Sequence, residues 1–548
     1  MFKNHPKGLI PAALSNMGER FGYYIMAAVL SLFLCSKFGL SDATAATIYA
    51  IFLAGIYVLS LVGGIIADRT QNYKKTIIIG IIVMAVGYAL LAIPITATTG
   101  TAVILLVLTC AALILIAFGN GLFKGNLQAI VGQMYDDLEE EAAKKGPEAL
   151  AKVKGRRDSG FQIFYVFINI GGLIAPFIAP FLRKWWLGLS NLKYDAELPS
   201  LCHKFINDPN SCDVANLVAN AKEAGLALDP SNIEATTQAC QNYLEVFNQG
   251  VHFAFIASVI AMLISLAIFL YKRNLFPTPG AKKSKEVSAS YTAEEKKAQA
   301  KEIKQRLYAL FAVLGVVIFF WFSFHQNGVS LSFFARDFVK SDALPAELWQ
   351  AVNPFFVIVL TPLIMLFFGA LRKRGKEIST PRKIAYGMTI AGLAYAFLAI
   401  YSYSVGYPSG EAFKAYPQVQ SEAMKAGWWV MIATYFLLTV AELFISPLGL
   451  SFVSKVAPKS MQGLCQGLWL GTTAVGNILL PIGAMMYNKI DLWQCWGVFI
   501  IVCFISAGVM LGMVKWLERV TSDKAQDAAL EAAGVPEEGS AEEQASEV

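Results

Sequence analysis

The sequence predicts an all-α membrane protein of twelve transmembrane helices in two groups of six. Three observations carry that expectation. Of 548 residues, 56% are hydrophobic and 15% charged, against about 25% charged in a soluble domain. Apolar runs of about 20 residues, the length that crosses a hydrocarbon core, recur along the chain. Lys and Arg gather on alternate connecting segments. A soluble chain this long would divide into domains with polar surfaces, and too few charges are present to cover them. Composition therefore excludes a soluble enzyme, a disordered scaffold and a nucleic-acid binder whose net charge of +6 would be its working surface.

The apolar runs fall near residues 14–36, 43–67, 75–96, 102–124, 158–182 and 251–271, then near 307–326, 350–371, 382–404, 427–452, 464–487 and 492–516. The first is too long for a removable signal peptide and is expected to stay in the membrane. With the N-terminus in the cytoplasm, 32 of the 45 basic residues lie on inside segments and 11 on outside ones. Arg20 and Lys124 are within spans. That bias sets both termini inside, so the basic balance reads as topology rather than as a surface for acidic partners. The expected units are a six-helix bundle over 1–271, a cytoplasmic linker over 272–306, a second bundle over 307–517 and an acidic, disordered tail over 518–548. Pro277, Pro279 and a Lys/Glu-rich stretch mark the linker, which is expected to contain some helix. The outward loop 183–250 holds Cys202, Cys212 and Cys240, of which at most one pair can close. The other five cysteines sit in or beside spans as small apolar residues. None shows metal-ligand spacing, and no metal or cofactor is expected.

Charges at the bilayer centre cost about 2.5–3.5 kcal/mol each on insertion scales, so those present are paired, water-facing or functional. Glu19 and Arg20 lie in the first span, Lys124 ends the fourth, Glu442 is in the tenth and His325 closes the seventh. As packing elements these would be two ion pairs fixing helices together. Their companions favour a binding site. Tyr23 and Tyr24 share a helix face with Arg20, and a guanidinium flanked by phenols suits a carboxylate. Glu442, with Ser446 one turn on, suits an ammonium group. Asn169 and Asn353 both donate and accept, and Tyr57, Trp321 and Trp469 are aromatics in spans. Cations at one end, an anion at the other and aromatics between fit a small zwitterion. The residues alone lead to a polytopic transporter or channel for a small polar solute.

The stretch Gly18–Tyr24, GERFGYY, resembles the ExxERFxYY signature of the proton-dependent oligopeptide transporter family, the peptide branch of the major facilitator superfamily. GGIIADRTQNYKK (63–75), GNGLFKGNLQAIVGQMY (119–135), FQIFYVFINIGGLIAP (161–176) and AELFISPLGLSFVSKVAP (441–458) are similar to further family motifs in the same order. The resemblance runs over nearly all twelve spans and omits the outward loop, the linker and the tail. It implies the major facilitator fold, two six-helix bundles rocking about a central site, and di- and tripeptides as substrates. By position, Arg20 and Lys124 would hold the peptide carboxylate. Glu442, with Asn169 and Asn353, would hold the amine, and Tyr23, Tyr24, Tyr57, Trp321 and Trp469 would line side-chain pockets. Lys124 and Glu442 would also pair to draw the bundles together on the cytoplasmic side. A monomer in the bacterial inner membrane is implied.

The departures gather in one place. Family acids fall on Asn16 and His325, an arginine falls on Ala27, and its acidic partner falls on Arg336, beside Asp337. These positions belong to proton coupling and the outer gate; the substrate positions are intact. Two readings stay open. Coupling is weakened or lost, or protons move through Glu19 and Glu442 with His325 replacing the missing acid. Competing functions are transport of another zwitterionic or anionic metabolite, such as nitrate or an amino-acid derivative, and a non-transporting peptide sensor. Glu442 disfavours a simple anion. An integral-membrane enzyme would need clustered groups, yet His5, His203, His252 and His325 are scattered and no HExxH is present.

Overall fold

Each long apolar run must satisfy its own backbone in lipid, which leaves the helix as the only open-chain solution. The computed structural model describes residues 4–40, 42–95, 100–153, 155–195, 198–210, 212–277, 293–340, 349 and 351–521. Among them, eleven helices are long and apolar enough to cross a membrane, and the 30-residue α1 (Leu9–Phe38) is a further long helix. The first half continues with α2 (Asp42–Thr70), α3 (Tyr73–Ala92), α4 (Ala102–Lys144), α5 (Arg156–Leu189) and α6 (Ile233–Tyr271). The second half comprises α7 (Ala293–Phe324), α8 (Val352–Lys373), α9 (Thr380–Val405), α10a (Trp428–Leu443) with α10b (Ser446–Val456), α11a (Gln462–Ile478) with α11b (Leu480–Lys489), and α12 (Leu492–Thr521). Helices α1, α5 and α6 pack together, as do α3 and α4 and, in the second half, α9 and α12. The halves meet where α2 and α4 cross α11a and where α5 crosses α8 and α10b.

Several helices outrun their apolar runs. Helix α4 continues about 20 residues past 124, and α6 begins at Ile233, well before 251. The segment read as an outward loop is largely helical, with Leu198–Asn207 and Val214–Glu223 between α5 and α6. Residues 293–306 of the linker form the start of α7; residues 278–292, and the tail beyond Thr521, lie outside the described residues. Two runs read as single spans are broken. Pro447 and Pro481 sit in the first turn of α10b and α11b, where the missing N–H is harmless, but each would clash with the carbonyl four residues back in a continuous helix. The α7 helix instead ends in a single 3₁₀ turn at His325–Gly328.

At one face, where α2 and α4 end and α11a begins, polar bonds tie the halves together. Asp68 accepts the first-turn N–H groups of Gly463 (2.9 Å) and Leu464 (2.7 Å), capping the positive end of α11a with a carboxylate. The backbones there nearly touch: a Cβ on Gly64 would lie 2.5 Å from the Gly463 carbonyl oxygen. Asp158 on α5 receives Lys383 Nζ (2.9 Å), Ser451 Oγ (2.5 Å) and Thr380 Oγ1 (3.1 Å), with Lys455 Nζ at 3.4 Å. Arg157 pairs with Asp136 (2.6 Å) and Glu139 (2.8 Å) and reaches Ser454 (3.3 Å), while Gln462 donates to Asp136 at 3.0 Å. The N-terminal segment lies on the same face, with the His5 ring 2.6 Å from the Tyr135 hydroxyl.

Candidate substrate site

Helix α1 carries the positive pole. Arg20 makes a two-pronged contact with its neighbour Glu19, Nε to Oε2 and Nη2 to Oε1, both at 2.6 Å. Glu19 is wholly buried and Arg20 is 4% exposed, so water does not dilute the pair. Asn120 of α4 donates to Glu19 Oε1 at 2.5 Å, fixing the carboxylate from a second helix. The guanidinium also sits 4.7 Å from the Tyr23 ring centroid, a cation–π contact. Tyr23 stacks on Phe52 and meets Tyr24 edge-on at 5.2 Å. Lys124 lies one helical turn beyond Asn120, with its ammonium 5.8 Å from the Tyr57 ring centroid. Among the described residues it makes no ion pair. Asn16, one turn before Glu19, is buried.

The negative pole is built around the break in α10. Glu442 is the penultimate residue of α10a and is 4% exposed. The carbonyls at a helix C-terminus are the negative end of its dipole, an unfavourable place for a carboxylate without donors. Two supply them: the Tyr165 hydroxyl of α5 donates to Oε1, and Asn353 Nδ2 of α8 donates to Oε2 at 2.6 Å. Asn353 also donates to Thr439 (3.1 Å). Ser446 begins α10b and is buried beside the break. Asn169 turns inward on α5 and donates to the Tyr165 carbonyl at 3.0 Å, so it supports the helix carrying the phenol and does not reach Glu442. Helix α5, which donates to Glu442 through Tyr165, also lies against the Arg20 face of α1, where a Cβ on Gly171 would be 3.5 Å from the Arg20 side chain and one on Gly172 3.1 Å from the Tyr24 ring, which brings the two poles to one central region.

The expected Lys124–Glu442 ion pair is not formed in this conformation. Glu442 is occupied by Tyr165 and Asn353 and Lys124 stands over Tyr57, so the first-half bond to Glu442 comes from a phenol. The halves are drawn together instead by the Asp68, Asp158 and Arg157 bonds, at residues read from the sequence only as loop motifs or orienting charges. His325 is bound to Asn477 at the end of α11a (Nδ1–Oδ1 2.5 Å) and stacks on Trp321 at 5.0 Å between ring centroids. Trp469 packs its ring against Gly449 of α10b, leaving no room there for a side chain. Arg336 pairs with its neighbour Asp337 (2.7 and 2.9 Å), which also accepts from the Tyr487 hydroxyl (3.0 Å). These bonds stay within the second half and do not involve Ala27. Tyr165, Asn120 and Asn477 escaped sequence reasoning. The first two carried a faint signal, each lying one turn before a residue already singled out, Asn169 and Lys124.

Among the described residues, eleven candidate membrane spans and the long α1, arranged in two halves with opposite charges between them, define a multi-pass membrane protein with a central polar site. The model of the POT family matches residues 74–292 and 281–496, and the chain belongs to that family. It is 27% identical over 530 residues to the peptide transporter YePEPT of Yersinia enterocolitica, covering 90% of each chain. It is 26% identical over 535 residues to dipeptide and tripeptide permease A of Citrobacter koseri, covering 95% of this chain and 92% of that one. Among solved structures it resembles a POT family transporter crystallised with a thioalcohol-conjugated peptide, with a TM-score of 0.56, 20% identity, and coverage of 95% of this chain and 98% of the other. That likeness establishes the fold.

Proposed function

We propose that this chain carries di- and tripeptides across the cytoplasmic membrane by alternating access, as a monomer with both termini inside and without enzymatic activity. The observation that carries this reading is the pair of opposite poles contributed by different halves, buried Arg20 with half-buried Lys124 on one side and buried Glu442 on the other. Arg20 and Lys124 hold the substrate carboxylate and Glu442 holds the amine, an attraction reinforced by the helix end on which Glu442 sits. Asn353 and Tyr165 hold the carboxylate in place, while Tyr23, Tyr24, Tyr57, Trp321 and Trp469 supply apolar walls that tolerate varied side chains. Ser446 and Asn169 complete the polar rim. With the basic segments inside, the face tied by Asp68 and Asp158 is the cytoplasmic one, and this conformer is closed to the cytoplasm.

Proton coupling runs through a reduced set of acids. The Glu19–Arg20 chelate supports Glu19 as the surviving switch, because the fork that receives a peptide carboxylate is already filled by a side-chain one. Protonating Glu19 frees it. Asn16 has no proton to give, and His325 is tied to Asn477 through one ring nitrogen. Proteoliposomes test this directly. Concentrative dipeptide uptake that a protonophore abolishes, and that Glu19→Gln loses while keeping counterflow, is the expected result. Uptake that only equilibrates in the unaltered protein refutes the coupling and leaves facilitated peptide transport. Failure of dipeptides to drive counterflow at all refutes the substrate.

A further inference from the structure

The chain leading into α1 is seated on the bonded face, across the ends of three helices. Arg156 of α5 donates through Nη1 to the Asn4 carbonyl oxygen at 2.8 Å, and the His5 ring meets the Tyr135 hydroxyl of α4 at 2.6 Å. Gly8 brings the backbone down between α4 and the segment after α6: a Cβ there would lie 2.5 Å from Met134 Sδ and 2.8 Å from the Leu275 carbonyl oxygen. The Tyr135 phenol in turn lies over Gly160 of α5, where a side chain would have no room. Both anchors fall beside the bonds between the halves. Tyr135 immediately precedes Asp136, which pairs with Arg157 (2.6 Å) and accepts from Gln462 of α11a (3.0 Å). Arg156 immediately precedes Arg157, which reaches Ser454 of α10b at 3.3 Å. Along a helix, holding one residue holds the next, because the backbone between them has fixed dihedrals.

We propose that residues 4–8 are a strap that positions Asp136 and Arg157 for closure of this face, with His5 and Tyr135 as its positioning residues. The inference rests on the reading of this face as the cytoplasmic gate. With the strap seated, the ends of α4 and α5 already stand at the separation at which Arg157 reaches Ser454 and Asp136 reaches Gln462. Closing the face then has less conformational freedom to remove. Without the strap, the long end of α4, which runs on to Lys144, and the first turn of α5 rest on the Arg157 pairs and the connection between the two helices. Among the described residues, the strap makes no bond to Arg20 or Glu442. It acts on the balance between the closed and open face and leaves peptide recognition alone.

The Ser454→Cys variant reads the gate. Ser454 is 4% exposed and is covered by Gly132 of α4 and Arg157 of α5, both in the first half, so position 454 meets an alkylating reagent when the halves part. The purified full chain carrying this substitution is treated with N-ethylmaleimide. Modification is followed by mass spectrometry on residues 426–455, released by cleavage after Lys425 and Lys455 and free of native cysteine. Where reclosing outpaces alkylation, the rate tracks the open population. In this background His5→Ala and Tyr135→Phe should each raise the rate about threefold to tenfold, the worth of one hydrogen bond, and the two together no further than either alone. His5→Gln, which keeps a hydrogen-bonding side chain, should stay within about twofold of the parent. Asp158→Asn, which opens the face by another route, is the reference. Acceleration there, with an unchanged rate in His5→Ala and Tyr135→Phe, overturns the strap and leaves the gate standing. Effects that multiply in the double variant overturn the strap as well, since the bond between His5 and Tyr135 is then not what acts. Melting temperatures should stay at the parent's; acceleration that comes with a lower melting temperature is general loosening and overturns the positioning role. An unchanged rate in Asp158→Asn overturns the gate, and the strap with it.

Discussion

Asp158 is the hub of the bonded face, and replacing it with Asn should open that face. The substitution keeps the shape and a hydrogen-bonding amide but removes the charge facing Lys383 at 2.9 Å and Lys455 at 3.4 Å. At an effective dielectric of about 20, each of those contacts is a gross attraction of roughly 5 kcal/mol. Desolvation offsets much of it. Breaking such a buried pair from one side still costs about 3–5 kcal/mol, because the partner is left uncompensated, and the side chain of Lys383 is only 4% exposed. When the face opens, water reaches the lysines and the penalty disappears. The closed state therefore loses about 3 kcal/mol or more relative to the open one, a shift of two orders of magnitude or more in their ratio. Spin labels at Thr70→Cys and Ser460→Cys, both exposed on this face, would read it by electron–electron distance measurement in a background with Cys35 and Cys110 replaced. A single short distance should give way to a mainly longer one in Asp158→Asn. Superimposable distributions, with the variant melting like its parent, would refute the assignment of this face as a charge-locked gate.

Other predictions concern the site and the N-terminal segment. Arg20→Ala should lower dipeptide affinity at least tenfold while membrane yield and melting behaviour change little; unchanged affinity in a binding titration removes Arg20 from the site. Tyr165→Phe deletes one donor to Glu442, and loss of a hydrogen bond to a charged group is worth about 1.5–3 kcal/mol. Its affinity for peptides with a free amine should fall about tenfold or more, and an unaltered preference for free over acetylated N-termini contradicts the role. Burial, followed by the nearby Arg156, lowers the His5 pKa to about 4. The docked segment thus favours the neutral ring, and its stability, full above the ordinary value of 6.5, should decline as pH falls from there towards 4. Hydrogen exchange at residues 4–8 should quicken across that window and lose its pH response beyond the intrinsic rate in His5→Gln.

The charged poles were legible because charges inside apolar runs are expensive and stand out. Arg20, Lys124 and Glu442 declare themselves in this way, and the notable absences, Asn16 and His325, become visible only against the family motif. Tyr165, Asn120 and Asn477 were not legible, since an aromatic or amide in a span packs as readily as it binds, and their roles depend on which helix lies opposite. The same limit hid the bonded face. Lys383, Lys455 and Arg157 lie at span ends, where basic residues already have a sufficient explanation in orientation, and nothing in one dimension brings Asp158 to them. The break after Glu442 is encoded by Pro447, but an unbroken apolar run masks it. The start of α6 lies among polar residues beyond the membrane, where hydropathy carries no signal.

The Glu19–Arg20 chelate has a consequence for affinity itself. If Arg20 receives the peptide carboxylate as proposed, the side-chain carboxylate one residue away is a tethered competitive inhibitor, at a local concentration that a dissolved peptide does not match. Observed affinity is the intrinsic affinity multiplied by the fraction of time the fork stands empty, so an empty fork one-hundredth of the time weakens binding about a hundredfold. For a receptor this would be a defect. For a carrier it is a condition of turnover, because a ligand held at its full intrinsic strength would not leave on the far side, and the tethered competitor that weakens capture also speeds release.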